Sequence, residues 1–159
     1  MTLTYRHRIA ALGLVLSVAG CASAPLVPPP ALEGEHALLI DVTNVVCCEG
    51  VLRIAVYHDS EYWLRDDGMV RGRIGFITGV SQRVEVHGLP AGTYAIAVHQ
   101  DMNGDAKLNR WLGILPREPY GFSNNVGRFG PASFNDASVT LDSDKSIEIA
   151  LNPGVGSAP

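Results

Sequence analysis

Residues 82–100 read QRVEVHGLPAGTYAIAVHQ, and this stretch decides the fold. Val84 and Val86 alternate with Arg83, Glu85 and His87. After a break, Tyr94, Ile96 and Val98 alternate again. A strict period of two marks a strand with one face turned to a core and one to water. The break itself, Gly88-Leu89-Pro90-Ala91-Gly92, is rich in residues that turn a chain.

The same pattern recurs on both sides. Leu38, Ile40 and Val42 share a face, as do Leu52, Ile54 and Val56, with Arg53 opposite. Val139 and Leu141 form a short run, then Ile147, Ile149 and Leu151. RGRIGFIT, residues 71–78, reads as one more strand, weakened by its glycines. Turn signals separate these runs: CCEG, HDSEYWLRDDG, HGLPAG and LDSDKS. Residues 60–64 suit a single helical turn capped by Ser60, and no segment reads as a long amphipathic helix. About seven short strands imply an all-β chain: a single antiparallel β-sandwich, Ig-like or prealbumin-like, over residues 36–152. A barrel is the structural alternative.

The N-terminus reads as an export signal. Arg6 and Arg8 precede an uncharged apolar run at 9–20, shorter than the ~20 residues that span a bilayer. Residues 1–20 are therefore expected to be a signal peptide. Val18-Ala19-Gly20-Cys21 resembles the bacterial lipoprotein signal, with Cys21 as the lipid-bearing residue and membrane anchor. Ala22, rather than Asp, points by the same resemblance to the outer membrane, facing the periplasm or the surface. Residues 21–35 carry Pro28, Pro29 and Pro30 and read as a semi-rigid linker. Residues 153–159 read as a flexible tail. Loss of Arg6 and Arg8 takes twelve basic residues to ten against sixteen acids, a net charge of 10 − 16 = −6. Such a balance argues against nucleic acid as a partner.

Cys47 and Cys48 are adjacent. Across a trans peptide their Cα atoms would stand ~3.8 Å apart, below the ~4.4–6.8 Å of ordinary disulfides. Two readings follow: one buried and one exposed thiol beside a turn, or a disulfide or redox pair between neighbours in an oxidising compartment.

The segment 100–136 lacks alternation and is dense in Gly, Asn, Pro and aromatic residues, including Trp111, Tyr120, Phe122, Phe129 and Phe134. It is expected to be a long ordered loop folded over one end of the sandwich. Asp101, Asn103, Asp105, Lys107 and Asn109 stand at every second position, as oxygen donors do in calcium loops. Ala106 replaces the usual turn Gly and Leu112 the bidentate Glu, so this is no EF-hand. A weak calcium site, completed by a distant oxygen such as Glu118, stands beside a turn held by side-chain-to-backbone hydrogen bonds. For Trp111, Tyr120, Phe122, Asn124 and Asn125, the alternatives are loop anchoring and a small-ligand site.

Several of these motifs travel together. Gly92-Thr93-Tyr94-Ala95, Asp101-x-Asn103-Gly104-Asp105-x-Lys107-Leu108, Leu112-Gly113-Ile114, Tyr120-Gly121-Phe122-Ser123-Asn124-Asn125 and Gly130-Pro131 resemble the exported bacterial family called domain of unknown function 2141. The likeness covers roughly residues 36–151. The chain departs from that pattern at Gln100, at Asn109 and in the spacing Ile114-Leu115-Pro116. The family is similar to transthyretin-like sandwiches, which supports the fold but carries no activity. The residues point to a binding or structural module. A small hydrolase at 99–125 is the rival reading, with His58-Asp59, His99 near Asp101, and Ser123 as raw material. No Gly-x-Ser-x-Gly elbow surrounds Ser123.

Overall fold

The computed structural model describes residues 32–112, 114–128 and 130–155. The expected signal, Cys21, the linker before Leu32 and residues 156–159 lie outside the described residues, as do Gly113 and Phe129. The strands are β1 (His36–Thr43), β2 (Val51–Tyr57), β3 (Arg71–Phe76), β4 (Ser81–Leu89) and β5 (Gly92–Asp101), then β6 (Arg110–Trp111), β7 (Leu115–Pro116), β8 (Tyr120–Phe122), β9 (Ser138–Leu141) and β10 (Lys145–Ala150). One helical turn, α1, spans Phe134–Ala137. One sheet runs β10-β1-β4 and the other β3-β2-β5-β8, with β9 sharing an edge of β5; β6 and β7 form a separate hairpin. The fold is a β-sandwich, and its sheets do not close into a barrel.

The alternation does what its period requires. Leu38, Ile40, Val42, Val84 and Val86 face inward from the first sheet, and Leu52, Ile54, Val56, Tyr94, Ile96 and Val98 from the second. All are buried in one cluster. Burial of each such side chain contributes about 1.5–3 kcal/mol. The opening stretch splits between the two sheets: β4 lies in one and β5 in the other. The GLPAG turn therefore carries the chain across the sandwich. Tyr94 secures that crossing, for its ring is fully buried and its hydroxyl donates to the Pro90 carbonyl at 2.9 Å.

Four expectations need correction. The sheets are not purely antiparallel, because β1 pairs with β10 in parallel. The chain visits the other sheet between them, which supplies the crossover a parallel pair needs. The segment 100–136, expected as one long ordered loop, also contains strand, since β8 adds to β5 through Ala97, Val98 and His99. Tyr120 and Phe122 point outward from that strand, and Gly121 points inward. A Cβ on Gly121 would lie 2.8 Å from Ile149 Cγ2 and 3.0 Å from the Ala150 carbonyl oxygen. The 3₁₀ turn Ser60–Tyr62 is capped by Asp59 rather than Ser60; Asp59 Oδ1 accepts from the Glu61 amide at 2.9 Å. The sandwich also reaches beyond 36–152. Leu32 packs on the core and its carbonyl accepts from Arg71, while the Val155 amide donates to the Pro116 carbonyl at 2.7 Å.

Of the two readings of the cysteines, the structure has the pair joined, Cys47 to Cys48. The ~3.8 Å separation held for a trans peptide; this one is cis, with Cα atoms 3.0 Å apart. The buried Gln100 side chain fixes the same turn. It accepts from the Val46 amide at 2.9 Å and donates to the Val46 and Glu49 carbonyls at 2.7 and 2.8 Å.

Replacing Tyr94 with Phe leaves the packing and strands the Pro90 carbonyl. Urea denaturation is expected to show a loss of about 1 kcal/mol. Tyr94→Ala is expected to lose about 3–5 kcal/mol.

Candidate functional site

The 101–109 loop turns its oxygens inward. Asp101 is fully buried; Oδ1 accepts from the Gly104 amide at 2.8 Å, and Oδ2 accepts from the Ala106 amide at 3.0 Å and Arg53 Nε at 2.6 Å. Asn103 Oδ1 accepts from the Asp105 amide at 3.2 Å, and Asp105 Oδ1 from the Lys107 amide at 2.9 Å. The Asn103 and Asn109 side-chain amides both donate to Asp105 Oδ2, at 3.1 and 2.9 Å. Glu118, buried, closes the loop from below by accepting from the Met102 and Asn109 amides at 3.0 Å each. Among the described residues no group of three or more His, Cys, Asp or Glu side chains is placed to hold a metal ion.

The aromatic and amide residues singled out from the sequence divide. Tyr120 and Phe122 are buried, and with Ala95 and Ala137 they form a second apolar cluster, joined by Trp63, Leu108 and Phe134. Trp111 sits exposed on β6, away from them. Asn124 Nδ2 donates to the Asp136 and Ser138 carbonyls at 2.9 and 2.8 Å, and Asn125 Oδ1 accepts from the Ala150 amide at 2.7 Å. Both adopt positive φ, 61° and 54°, which Asn tolerates better than most residues. These amides tie the turn after β8 to α1, β9 and β10.

The catalytic raw material is scattered. Ser123 Oγ is buried, accepts from the Ile96 amide at 3.0 Å and donates to the Ala137 carbonyl. His58 Nδ1 pairs with the Thr93 carbonyl at 2.9 Å, and Asp59 caps the 3₁₀ turn. Among the described residues no histidine or carboxylate contacts Ser123 by a hydrogen bond or ion pair.

The outer face of the second sheet holds what the sequence reading missed. Gly72, Ala55 and Ala97 stand side by side on β3, β2 and β5, followed by Phe122 on β8. Arg53, His99 and Tyr120 form the next row, with Ile74. Small residues floor an open groove of ≈ 1380 Å³. One wall is the segment Leu64–Met69; the other is Ala106–Arg110 with Ile114 and Pro116. Tyr120 and Phe122 line it; Trp111, Asn124 and Asn125 do not. The signal was present: Ala55 and Ala97 occupy positions where a wet strand face would carry polar side chains.

A family model described as "Uncharacterized protein conserved in bacteria (DUF2141)" matches residues 40–149. The chain belongs to the DUF2141 family. No curated protein and no solved structure matches it. The matched span contains the whole 101–109 loop and every residue that lines the groove.

In this DUF2141 domain the titratable residues of the site respond differently to their surroundings. Burial raises the Asp101 pKa, but Arg53 and the Ala106 and Gly104 amides outweigh it and hold the carboxyl below its ordinary value. Asp105 is also lowered, by Asn109 first and the Lys107 amide second. Burial pushes His99 down, against the opposing pull of Glu118 and Asp101. Its Nε2 is buried with no hydrogen-bond partner.

Two outcomes follow from these contacts. Asp101→Ala removes the acceptor of two amides and a guanidinium and is expected to cost about 3 kcal/mol. Asp105→Ala should cost less, and millimolar calcium should leave the wild-type melting temperature unchanged; a calcium-dependent rise lost in both variants would reassign the loop as a cation site. The second outcome concerns pH. A His whose folded pKa lies below the ordinary 6.5 leaves the unfolded chain binding the proton first, so stability falls as pH drops from about 6.5 towards the lowered value. The lowered aspartates give stability that is full above the ordinary 3.8 and is lost as pH falls through their folded values. His99→Phe should flatten the first limb in pH-dependent urea melts and leave the second.

Proposed function

We propose that this DUF2141 protein is a binding module of the bacterial envelope, and that the groove across β3, β2, β5 and β8 is its ligand site. The observation that carries this reading is the groove itself: a concavity of ≈ 1380 Å³ on a sheet face floored by Gly72, Ala55 and Ala97. An outer face without covering elements normally carries polar side chains. Small apolar residues there, between two ordered walls, suit an occupant. Among the described residues Ser123 Oγ is bonded only to Ile96 and Ala137 backbone groups, which supports the binding reading over the hydrolase alternative. The acids of the 101–109 loop already have donors, which supports a positioning role for that loop over a calcium role.

The envelope part of the reading rests on residues 1–21. The Val18-Ala19-Gly20-Cys21 motif supports tethering through lipid on Cys21 at the outer membrane. Cys21→Ser is expected to move the protein from the membrane to the soluble fraction, or to leave it unprocessed; unaltered membrane fractionation and processing would contradict the tether.

The groove is tested with an uncharged apolar fluorophore, N-phenyl-1-naphthylamine. Saturable binding, one molecule per chain, is expected in the wild type. Ala55→Trp fills the floor and should abolish it while circular dichroism stays native. Absence of saturable binding, or binding indifferent to Ala55→Trp, would remove the ligand-site reading.

A further inference from the structure

The groove has a charge that the chain as a whole does not. The sequence holds twelve Lys and Arg against sixteen Asp and Glu. The groove takes Arg53, Arg65, Arg73, Lys107 and Arg110 against Asp66 and Asp67 alone. A net-acidic protein has thus gathered five of its twelve basic residues around one concavity. Arg65 is spent on Asp67 at 3.2 Å and Arg53 on Asp101 at 2.6 Å. Among the described residues no ion pair engages Arg73 or Arg110.

The basic residues are also unevenly placed along the groove. Asp101 Oδ2 accepts from both Arg53 and the Ala106 amide, which brings Arg53 against the loop just before Lys107 and Arg110. That end is cationic. Four residues along β2, about 13 Å away at strand rise, Tyr57 donates to the Arg65 carbonyl at 3.3 Å. There the lining is Tyr57, Leu64, Met69 and Phe122, beside Asp66 and Asp67. The floor between is Ala55, Ala97 and Gly72. The site is thus cationic at one end and apolar along its length.

Resting on the groove being a ligand site, we infer that its ligand is a single-chain amphiphile with an anionic head. The head lies against Lys107 and Arg110, with Arg53, paired to Asp101 and partly exposed, beside them. The apolar chain follows the small-residue floor towards Tyr57. An apolar ligand of no charge would leave Arg110 without an ionic partner among the described residues. A small inorganic anion would leave the floor wet, forgoing about 25 cal/mol for each Å² of apolar surface it could have covered.

Competition against N-phenyl-1-naphthylamine tests this with three probes below micelle formation: dodecanoate, dodecyl maltoside and acetate. Dodecanoate should displace the dye, roughly tenfold more tightly than dodecyl maltoside, and acetate should not displace it. The exposed pair Lys107→Glu with Arg110→Glu should weaken dodecanoate on the order of tenfold more than it weakens the uncharged dye. Equal displacement by dodecanoate and dodecyl maltoside would overturn the anionic head while the groove reading stands. Displacement by acetate alone would overturn the apolar chain. A wild type that binds no dye loses the groove reading and this inference together. Dimerisation that buries the groove, seen by sedimentation and abolished by Ala55→Trp, would assign the surface to a second copy instead.

Discussion

A buried carboxylate must be neutralised or hydrogen-bonded, and at Asp101 it is both. The residue ends β5, the longest strand, and begins the loop that builds one wall of the groove. Its two oxygens collect Gly104, Ala106 and Arg53. The first two donors bend the chain back on itself. The third reaches from β2, so the loop is fixed to the neighbouring strand as well as to its own. Glu118 repeats the device one layer down with Met102 and Asn109. Between them, two acids convert a polar stretch of Gly and Asn into a rigid edge. Ala106 can hold positive φ here because these bonds overdetermine the backbone.

The second sheet works on both faces, and this separates it from the first. Its inner face supplies half of the aliphatic core. Its outer face is half covered: Trp63, Phe122 and Phe134 close over Ala95, with ring centroids 5.7 and 6.0 Å from Trp63. The other half, over Ala55 and Ala97, is left open as the groove. Trp63 Nε1 donates to the Ala132 carbonyl at 2.8 Å, so the covering segment is held at its far end too. Rigid walls of this kind reduce the ordering cost of binding.

The core was legible because period two has one meaning when it recurs in six or more runs. Leu38 through Leu151 fell on the inner faces that the alternation assigned. Pairing was not legible: a period names faces, not neighbours, so the parallel β1–β10 contact and the passage of the GLPAG turn between sheets were out of reach. Tyr120-Gly121-Phe122 was too short a strand to show a period, and its identity depends on the edge of β5 and on Ile149 behind Gly121. The site was half visible. The loop residues were found because their spacing is local. Arg53, Ala55 and Ala97 were passed over because each looked ordinary in its own strand, and only lateral registry gathers them.

The same registry explains why the acidic loop and the basic groove belong to one construction. In a calcium loop the cation sits among the carboxylates and is the reason they converge. Here the guanidinium of Arg53 supplies positive charge to Asp101, and backbone amides supply the remaining donors. Arg53 sits between the two: Nε is committed to Asp101, and the side chain remains partly exposed at the groove. Lys107 and Arg110 follow from the loop's own path once Asp101 and Glu118 have fixed it. The acids thus lie behind the wall and the cations on it. Removing the acids would cost the groove its wall before it cost any metal, because the first bonds broken are those that hold Ala106 and Asn109 in place.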